Sequence, residues 1–240
     1  VRPATDRIVV TGGYGTLAKA LRTHFPDAVY LSHEELDVRN HTSVARVVDV
    51  LRPTLVIHAA AITDHQCPDL DLLVKTNIGG TRKVAAAAKL AGAKLVYLST
   101  HYVYPGHKGH HTETDRPQPI GHYAWTKLAG EHFALLAPDT LVIRGSWYTR
   151  AKVMHWQPAF CDAWTNRTTV EFAAAQIAAL ITRGAEGIFN IGGPRSTFYD
   201  IAVSYGRTPS PGLRTSWAGP YEFPHDSSVA IDKFRVFTTK

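Results

Sequence analysis

The 240-residue sequence predicts an α/β protein built on a doubly wound parallel sheet, with a small lobe formed by its C-terminal part. Two observations carry this: short apolar runs rich in β-branched residues alternate with helical stretches, and the first run opens into a glycine-rich turn. The runs fall at Ile8–Thr11, 28–31, 55–59, 94–99, Leu141–Arg144 and 187–191. They are too short for helices and almost continuously apolar, as strands covered on both faces should be. Between them, 16–25, 43–51, 72–90, 123–136 and Val170–Thr182 carry Ala, Leu, Lys and Val at helical spacing, and Pro26, Pro53 and Gly92 punctuate the exits. Right-handed crossovers between such elements place ligands at the carboxyl ends of the strands.

From about Gly145 the rhythm weakens. Trp147-Tyr148-Thr149-Arg150, Trp156-Gln157-Pro158 and the Pro/Gly-rich 206–220 stretch are irregular. The sequence therefore divides into 1–144, the sheet domain, and 145–240, a small lobe packed on it that also returns a strand and a helix to the core. That lobe is expected to have one good helix and little core of its own.

Composition narrows the function classes. With 45 % hydrophobic residues the chain can fill a core, and no stretch reaches the roughly 20 apolar residues of a membrane span. The 26 Lys and Arg against 20 Asp and Glu give a net charge of +6, but these residues are scattered rather than gathered into a run. A phosphate-bearing small molecule or cofactor fits that field better than nucleic acid or a membrane surface. Residues 1–7 leave no room for an export leader before the first strand, and Cys67 and Cys161 have no metal or redox spacing, so a reduced cytoplasmic setting is expected.

In Ile8-Val9-Val10-Thr11-Gly12-Gly13-Tyr14-Gly15-Thr16-Leu17-Ala18, Gly12 permits a tight turn and Gly15 a close approach of backbone to a pyrophosphate. Ala18 stands where a small residue lets helix and strand pack, and open amides at the helix start face the anion. This is a Rossmann-type dinucleotide site. Cofactor choice would be set after the second strand, where Ser32 and His33 come first and could accept a 2′-phosphate, favouring NADP. Glu34, about 20 residues past the turn, stands where an NAD-selecting acid would, so NAD remains the alternative.

Tyr123-Ala124-Trp125-Thr126-Lys127 puts a phenol and an ammonium four apart on one helical face. A free phenol has a pKa near 10, and a neighbouring ammonium favours its ionised form, so Tyr123 could exchange a proton with a carbonyl oxygen. Ser99-Thr100 delivers hydroxyls at the carboxyl end of the 94–99 strand. Thr100 would hydrogen-bond the same oxygen, and Lys127 could also hold a nicotinamide ribose.

Taken together, the glycine turn, Ser99-Thr100 and Tyr123 to Lys127 resemble the extended short-chain dehydrogenase/reductases, and among them the dTDP-4-dehydrorhamnose reductase family. Further local likeness lies in Arg52-Pro53-Thr54-Leu55-Val56-Ile57-His58-Ala59-Ala60-Ala61, Leu128-Ala129-Gly130-Glu131, Val142-Ile143-Arg144-Gly145-Ser146-Trp147 and Asp226-Ser227-Ser228-Val229-Ala230-Ile231-Asp232. The resemblance implies NAD(P)H-dependent reduction of the 4-keto group of a deoxysugar nucleotide, with Thr100, Tyr123 and Lys127 catalytic. It implies that Gly12, Tyr14, Gly15, Thr16 and Leu17 hold the pyrophosphate, that Asp37 and Val38 lie along the adenine, and that Ala59, Ala60 and Ala61 line the ribose and nicotinamide side. Arg144, Gly145 and Ser146 would lie near the nicotinamide, with Tyr102 and Trp147 on the substrate.

Two departures stand out against that family. His101 replaces the usual Asp after the catalytic Thr, and the acidic pair of sugar-nucleotide dehydratases is absent. Residues 148–170 are shorter than the family's substrate lobe, so the substrate could be smaller, or a second copy of the chain, as a homodimer, could complete the site. The alternatives are a non-catalytic NADP-binding regulatory subunit resembling the methionine adenosyltransferase β subunit, and an NDP-sugar epimerase. His107, His110 and His111 are expected in a solvated loop rather than around a metal, and His58 as a core imidazole with its hydrogen bonds satisfied.

Overall fold

The computed structural model describes residues 7–239, so the leader reading of the first residues falls mostly outside them. In chain order the elements are β1 (Ile8–Thr11), α1 (Thr16–Leu21), β2 (Val29–Leu31), α2 (His41–Leu51), β3 (Leu55–His58), α3 (Leu70–Val74), a π-helical turn (Lys75–Gly80), α4 (Thr81–Ala91), β4 (Lys94–Leu98), α5 (Gly121–Ala134) and β5 (Leu141–Arg144). There follow β6 (Trp147–Tyr148), α6 (Arg150–Val153), β7 (Ala159–Phe160), β8 (Trp164–Thr165), β9 (Thr168–Thr169), α7 (Val170–Thr182), β10 (Gly187–Asn190), β11 (Ser196–Thr197), α8 (Phe198–Ser204), β12 (Pro211–Gly212) and α9 (Asp232–Thr239).

Among the described residues the central sheet has six parallel strands in the order β10-β5-β4-β3-β1-β2. The chain steps outward from β1 to β2 and then crosses back over β1 to β3. A crevice therefore opens at the carboxyl ends of β1 and β3, where ligands of such sheets bind. One face of the sheet buries Val10, Ile57, Val96, Leu98 and Ile143 against α1 and α7, with Phe234 and Phe237 of α9 behind them. The other buries Val9, Val56, Leu95, Tyr97 and Val142 against Val44 and Val47 of α2, Val84, Ala85 and Ala88 of α4, and Ala134 of α5. Helices on both faces explain why the strand runs read as continuously apolar.

Two sequence expectations change. Residues 72–90 are helical throughout, as expected, but not uniformly α-helical: a π turn over Lys75–Gly80 lies between α3 and α4. The extra residue per turn accommodates Asn77, whose side chain bonds both backbone groups of Ile62, and Gly80, where a Cβ would stand 2.7 Å from Val38 Cγ2. The lobe, in turn, does have apolar packing of its own. Val153, Ala159, Ile201 and Ala202 form one cluster with Tyr148, Trp156, Tyr199 and Tyr205 around them. Ala163, Phe198 and Phe223 form a second with Trp156, Phe160 and Trp217. The rings supply, in a few residues, the buried area that an aliphatic core would need many more to provide.

Candidate active site

A cavity of about 410 Å³ follows the carboxyl ends of β1, β3, β4 and β5 into the lobe. At one end are Gly12, Gly15, Thr16, Leu17 and Ala18; in its middle are Ala59, Ala61, Thr63, His65, Ser99, Thr100, Tyr123, Lys127, Gly145 and Ser146; at the lobe end are Trp147, Tyr148, Thr149, Lys152, Trp156 and Arg167. Gly12 has φ +65°, and a Cβ there would lie 2.7 Å from Ala60 Cα, so only glycine lets β1 turn this close under β3. Gly15 precedes α1 with no side chain capping the helix, leaving the first amides of α1 open toward the cavity.

A directed series of hydrogen bonds fixes the spacing of these parts. Thr81 Oγ1 donates to Asn77 O at 2.6 Å and so accepts from His58 Nε2–H at 3.1 Å. His58 Nδ1 is left to accept from Thr11 Oγ1 at 2.8 Å, which itself accepts from Ala60 N at 3.1 Å. Asn77 Nδ2 donates to Thr126 Oγ1 at 3.0 Å, and Thr126 donates to Tyr123 O at 2.7 Å. His58 is thus the satisfied core imidazole expected from its place on an apolar strand, and burial lowers its pKa to about 3.

Tyr123 and Lys127 stand side by side on α5, both buried. Burial pushes the Tyr123 phenol up and outweighs Arg167, the cation that pulls it down. The expectation that a neighbouring ammonium dominates the phenol is therefore not met; desolvation wins. Burial also lowers Lys127 to about 7, against the pull of Glu131 one turn away. The Lys127 ammonium lies 4.2 Å from the Tyr97 ring centre, and Tyr97 O–H donates to Lys127 O at 3.1 Å. Thr100 Oγ1 accepts from Tyr102 N at 3.3 Å.

Other expected residues lie off the cavity wall. Arg144 is buried in a bidentate pair with Glu131, Nη2 to Oε2 2.6 Å and Nε to Oε1 3.0 Å, and donates to Tyr104 Oη at 2.8 Å. Its guanidinium is thereby held in the core, where the resemblance had placed it beside the nicotinamide. Ser99 Oγ donates to the same carboxylate. Tyr102 is buried, with its hydroxyl accepting from Arg167 Nη2 at 3.3 Å. Ala60 packs under Gly12 and Val38 against Gly80. Tyr14 is exposed. Beyond β2, Ser32 and Glu35 bond one another across a turn. Asp37 is held by Arg39 through a bidentate pair, and Arg39 Nη2 lies 3.1 Å from His33 Nε2. The histidine loop is also corrected. His107 and His110 are exposed, but His111 is fully buried, bonded to Asp115 at 3.1 Å and stacked on Tyr104.

His65, Lys152, Trp156 and Arg167 were missed. His65 lies in the loop that leaves the carboxyl end of β3, and that position beyond a central strand was a usable signal. Nothing local marks Lys152, Trp156 or Arg167, which long-range packing of the lobe brings in.

The fold and cavity define a Rossmann-type dinucleotide-dependent oxidoreductase of the extended short-chain dehydrogenase/reductase kind. The chain belongs to the RmlD substrate binding domain family, which matches residues 6–186. It is 32 % identical over 222 residues to a dTDP-4-keto-6-deoxy-D-glucose reductase of Streptomyces niveus, covering 82 % of this chain and 77 % of that one. The crystal structure of dTDP-4-dehydrorhamnose reductase from Bacillus anthracis in complex with NADP superposes with a TM-score of 0.90 at 26 % identity, covering 98 % of this chain and 93 % of that one. Methionine adenosyltransferase 2 subunit beta of Rattus norvegicus is 28 % identical over 145 residues, covering 54 % of this chain and 42 % of that protein. Against several dTDP-4-dehydrorhamnose reductases the match spans about half of their length.

Proposed function

We propose that the chain reduces the 4-keto group of a deoxysugar nucleotide, using NADPH in preference to NADH. The observation that carries this reading is the assembly of Thr100, Tyr123 and Lys127 on the wall of the cavity whose other end is the Gly12 to Leu17 turn. That turn fits a dinucleotide: its glycines let β1 turn tightly against Ala60 and β2, and uncapped amides at the start of α1 face the cavity. Gly12, Gly15, Thr16 and Leu17 would hold the pyrophosphate, Ala59 and Ala61 the ribose side, and Lys127, Gly145 and Ser146 the nicotinamide end. His33 and Arg39, adjoining Ser32 beyond β2, supply cationic and hydrogen-bonding groups for a 2′-phosphate, and Arg39 neutralises Asp37.

When bound, the reduced nicotinamide supplies the hydride. Tyr123, kept protonated by burial, donates its phenolic proton to the carbonyl oxygen as that oxygen gains charge. Thr100 donates a second hydrogen bond to the same oxygen, and Lys127 and Arg167 stabilise the phenolate left behind. Trp147, Tyr148 and Trp156 offer aromatic faces to the substrate, and Lys152 and Arg167 offer cations to its diphosphate.

Loss of NADPH absorbance with a dTDP-4-keto-6-deoxy sugar tests this. Tyr123→Phe should cut turnover about 10²- to 10⁴-fold while NADPH still binds; unaltered turnover would refute the assignment. The complete Thr100, Tyr123 and Lys127 set favours an enzyme over a non-catalytic regulatory subunit. Leu70 and Val74 of α3 and Trp125 of α5, all exposed, favour a second copy as partner, tested by mass in light scattering. Among the described residues no helix is long and apolar enough to cross a membrane. The free thiols of Cys67 and Cys161 favour a cytoplasmic setting.

A further inference from the structure

His65 lines the cavity and has no role in the scheme above. Its ring is tilted against that of Tyr123 at 4.5 Å between centres, meets Tyr102 edge-on at 5.0 Å, and lies 6.3 Å from Tyr221. Its Nδ1 is closed off from water and has no hydrogen-bond partner. An unpaired N–H in such a place is costlier than an unpaired lone pair, so the proton resides on Nε2. Burial, with Arg167 and Lys152 nearby, lowers the pKa of His65 to about 4, which keeps the ring neutral. A neutral imidazole with its proton on Nε2 is a hydrogen-bond donor and no proton source at neutral pH. Because the ring lies against Tyr123, whose hydroxyl is assigned to the carbonyl oxygen, its reach is to the group beside the carbonyl.

We propose that His65 determines substrate specificity by donating from Nε2–H to the hydroxyl on the sugar carbon adjacent to the reacting carbonyl. This rests on the reductase reading. A site built to hydrogen-bond a hydroxyl discriminates against the analogue lacking it far more strongly than an apolar wall does. His65 therefore sorts 3-hydroxy from 3-deoxy 4-keto sugars without taking part in proton transfer.

Steady-state kinetics with dTDP-4-keto-6-deoxy sugars bearing or lacking the 3-hydroxyl test this in the full chain. His65→Phe keeps a ring against Tyr102 and Tyr123 but removes the donor; His65→Asn restores a donor. The phenylalanine variant should lose about 10- to 100-fold in kcat/KM on the hydroxylated sugar and show no loss on the deoxy sugar, which no longer leaves a donor unpaired. The asparagine variant should recover part of that loss. NADPH affinity, followed by fluorescence, should be unchanged in both and reports that they fold. Equal losses on the two sugars, or no loss on either, overturn the specificity role while leaving the reductase intact. Wild-type protein that binds NADPH but reduces neither sugar overturns the reductase reading and this inference with it.

Discussion

Replacing Glu131 by Gln should be among the most damaging single-atom changes available to this fold. The side chains of Glu131 and Arg144 are only 2 % and 3 % exposed, and their contact is bidentate, with Nη2 to Oε2 at 2.6 Å and Nε to Oε1 at 3.0 Å. The carboxylate also accepts from Ser99, and Arg144 also donates to Tyr104. Removing the negative charge leaves a guanidinium buried with only neutral acceptors, and breaking such pairs costs about 3–5 kcal/mol. For a chain of this size that lowers Tm by roughly 6–20 °C. Urea unfolding of Glu131→Gln, Arg144→Met and the double variant measures it. The double variant, which buries neither charge, should be more stable than the sum of the single losses predicts. A loss under about 1 kcal/mol in Glu131→Gln, or strict additivity in the double variant, would refute the assignment of this pair as a desolvated, mutually dependent unit. There is a functional readout too. Glu131 holds the Lys127 pKa up, so the variant should move any Lys127-controlled limb of the pH–rate profile to lower pH.

Acid should weaken the fold through His58. Its pKa is near 6.5 unfolded and lowered to about 3 folded, so between these values the unfolded chain binds a proton that the native protein refuses. Stability is full above about pH 6.5 and falls as the pH drops toward 3, by about 2 kcal/mol at pH 5 from this group alone; urea midpoints equal at pH 7 and pH 5 would contradict it. Gly130→Ala would place a Cβ 2.1 Å from Tyr97 Oη and 2.8 Å from Tyr97 Cζ, inside a packed layer. A loss of about 1–3 kcal/mol is expected, read as a lowered thermal midpoint; a neutral result would show that Tyr97 can yield.

The six sheet strands were legible to within a residue at each end because burial on both faces imposes an unbroken apolar run, and α7 was legible because nothing within it competes with helical spacing. The π turn was not. Gly79-Gly80 is its one local mark and does not distinguish a π turn from a helix end; the insertion is decided by Asn77 bonding Ile62, 15 residues away, and by Gly80 packing under Val38. In the site, the glycine turn and the Tyr123–Lys127 pair are visible because their chemistry is local in sequence. The pairing of Arg144 was not legible because its partner Glu131 sits on another element, and a charged residue ending an apolar strand reads equally as a ligand contact. Lys152 comes from a four-residue helix, and Trp156 and Arg167 from the loops after that helix and between β8 and β9, whose positions follow from aromatic packing in the lobe, which no periodicity reports.

The hydrogen bonds running from Ala60 through Thr11, His58, Thr81, Asn77 and Thr126 to Tyr123 work as a length gauge. Every hydroxyl proton along the series is already committed, and the direction of donation through His58 is set by Thr81, whose proton goes to Asn77 O. The strand that feeds the glycine turn and the helix that carries the phenol are thereby held at one separation, independent of what the cavity contains. Evolution could reshape the lobe and its aromatic wall, and with them the choice of sugar, without disturbing the distance over which hydride and proton must arrive together.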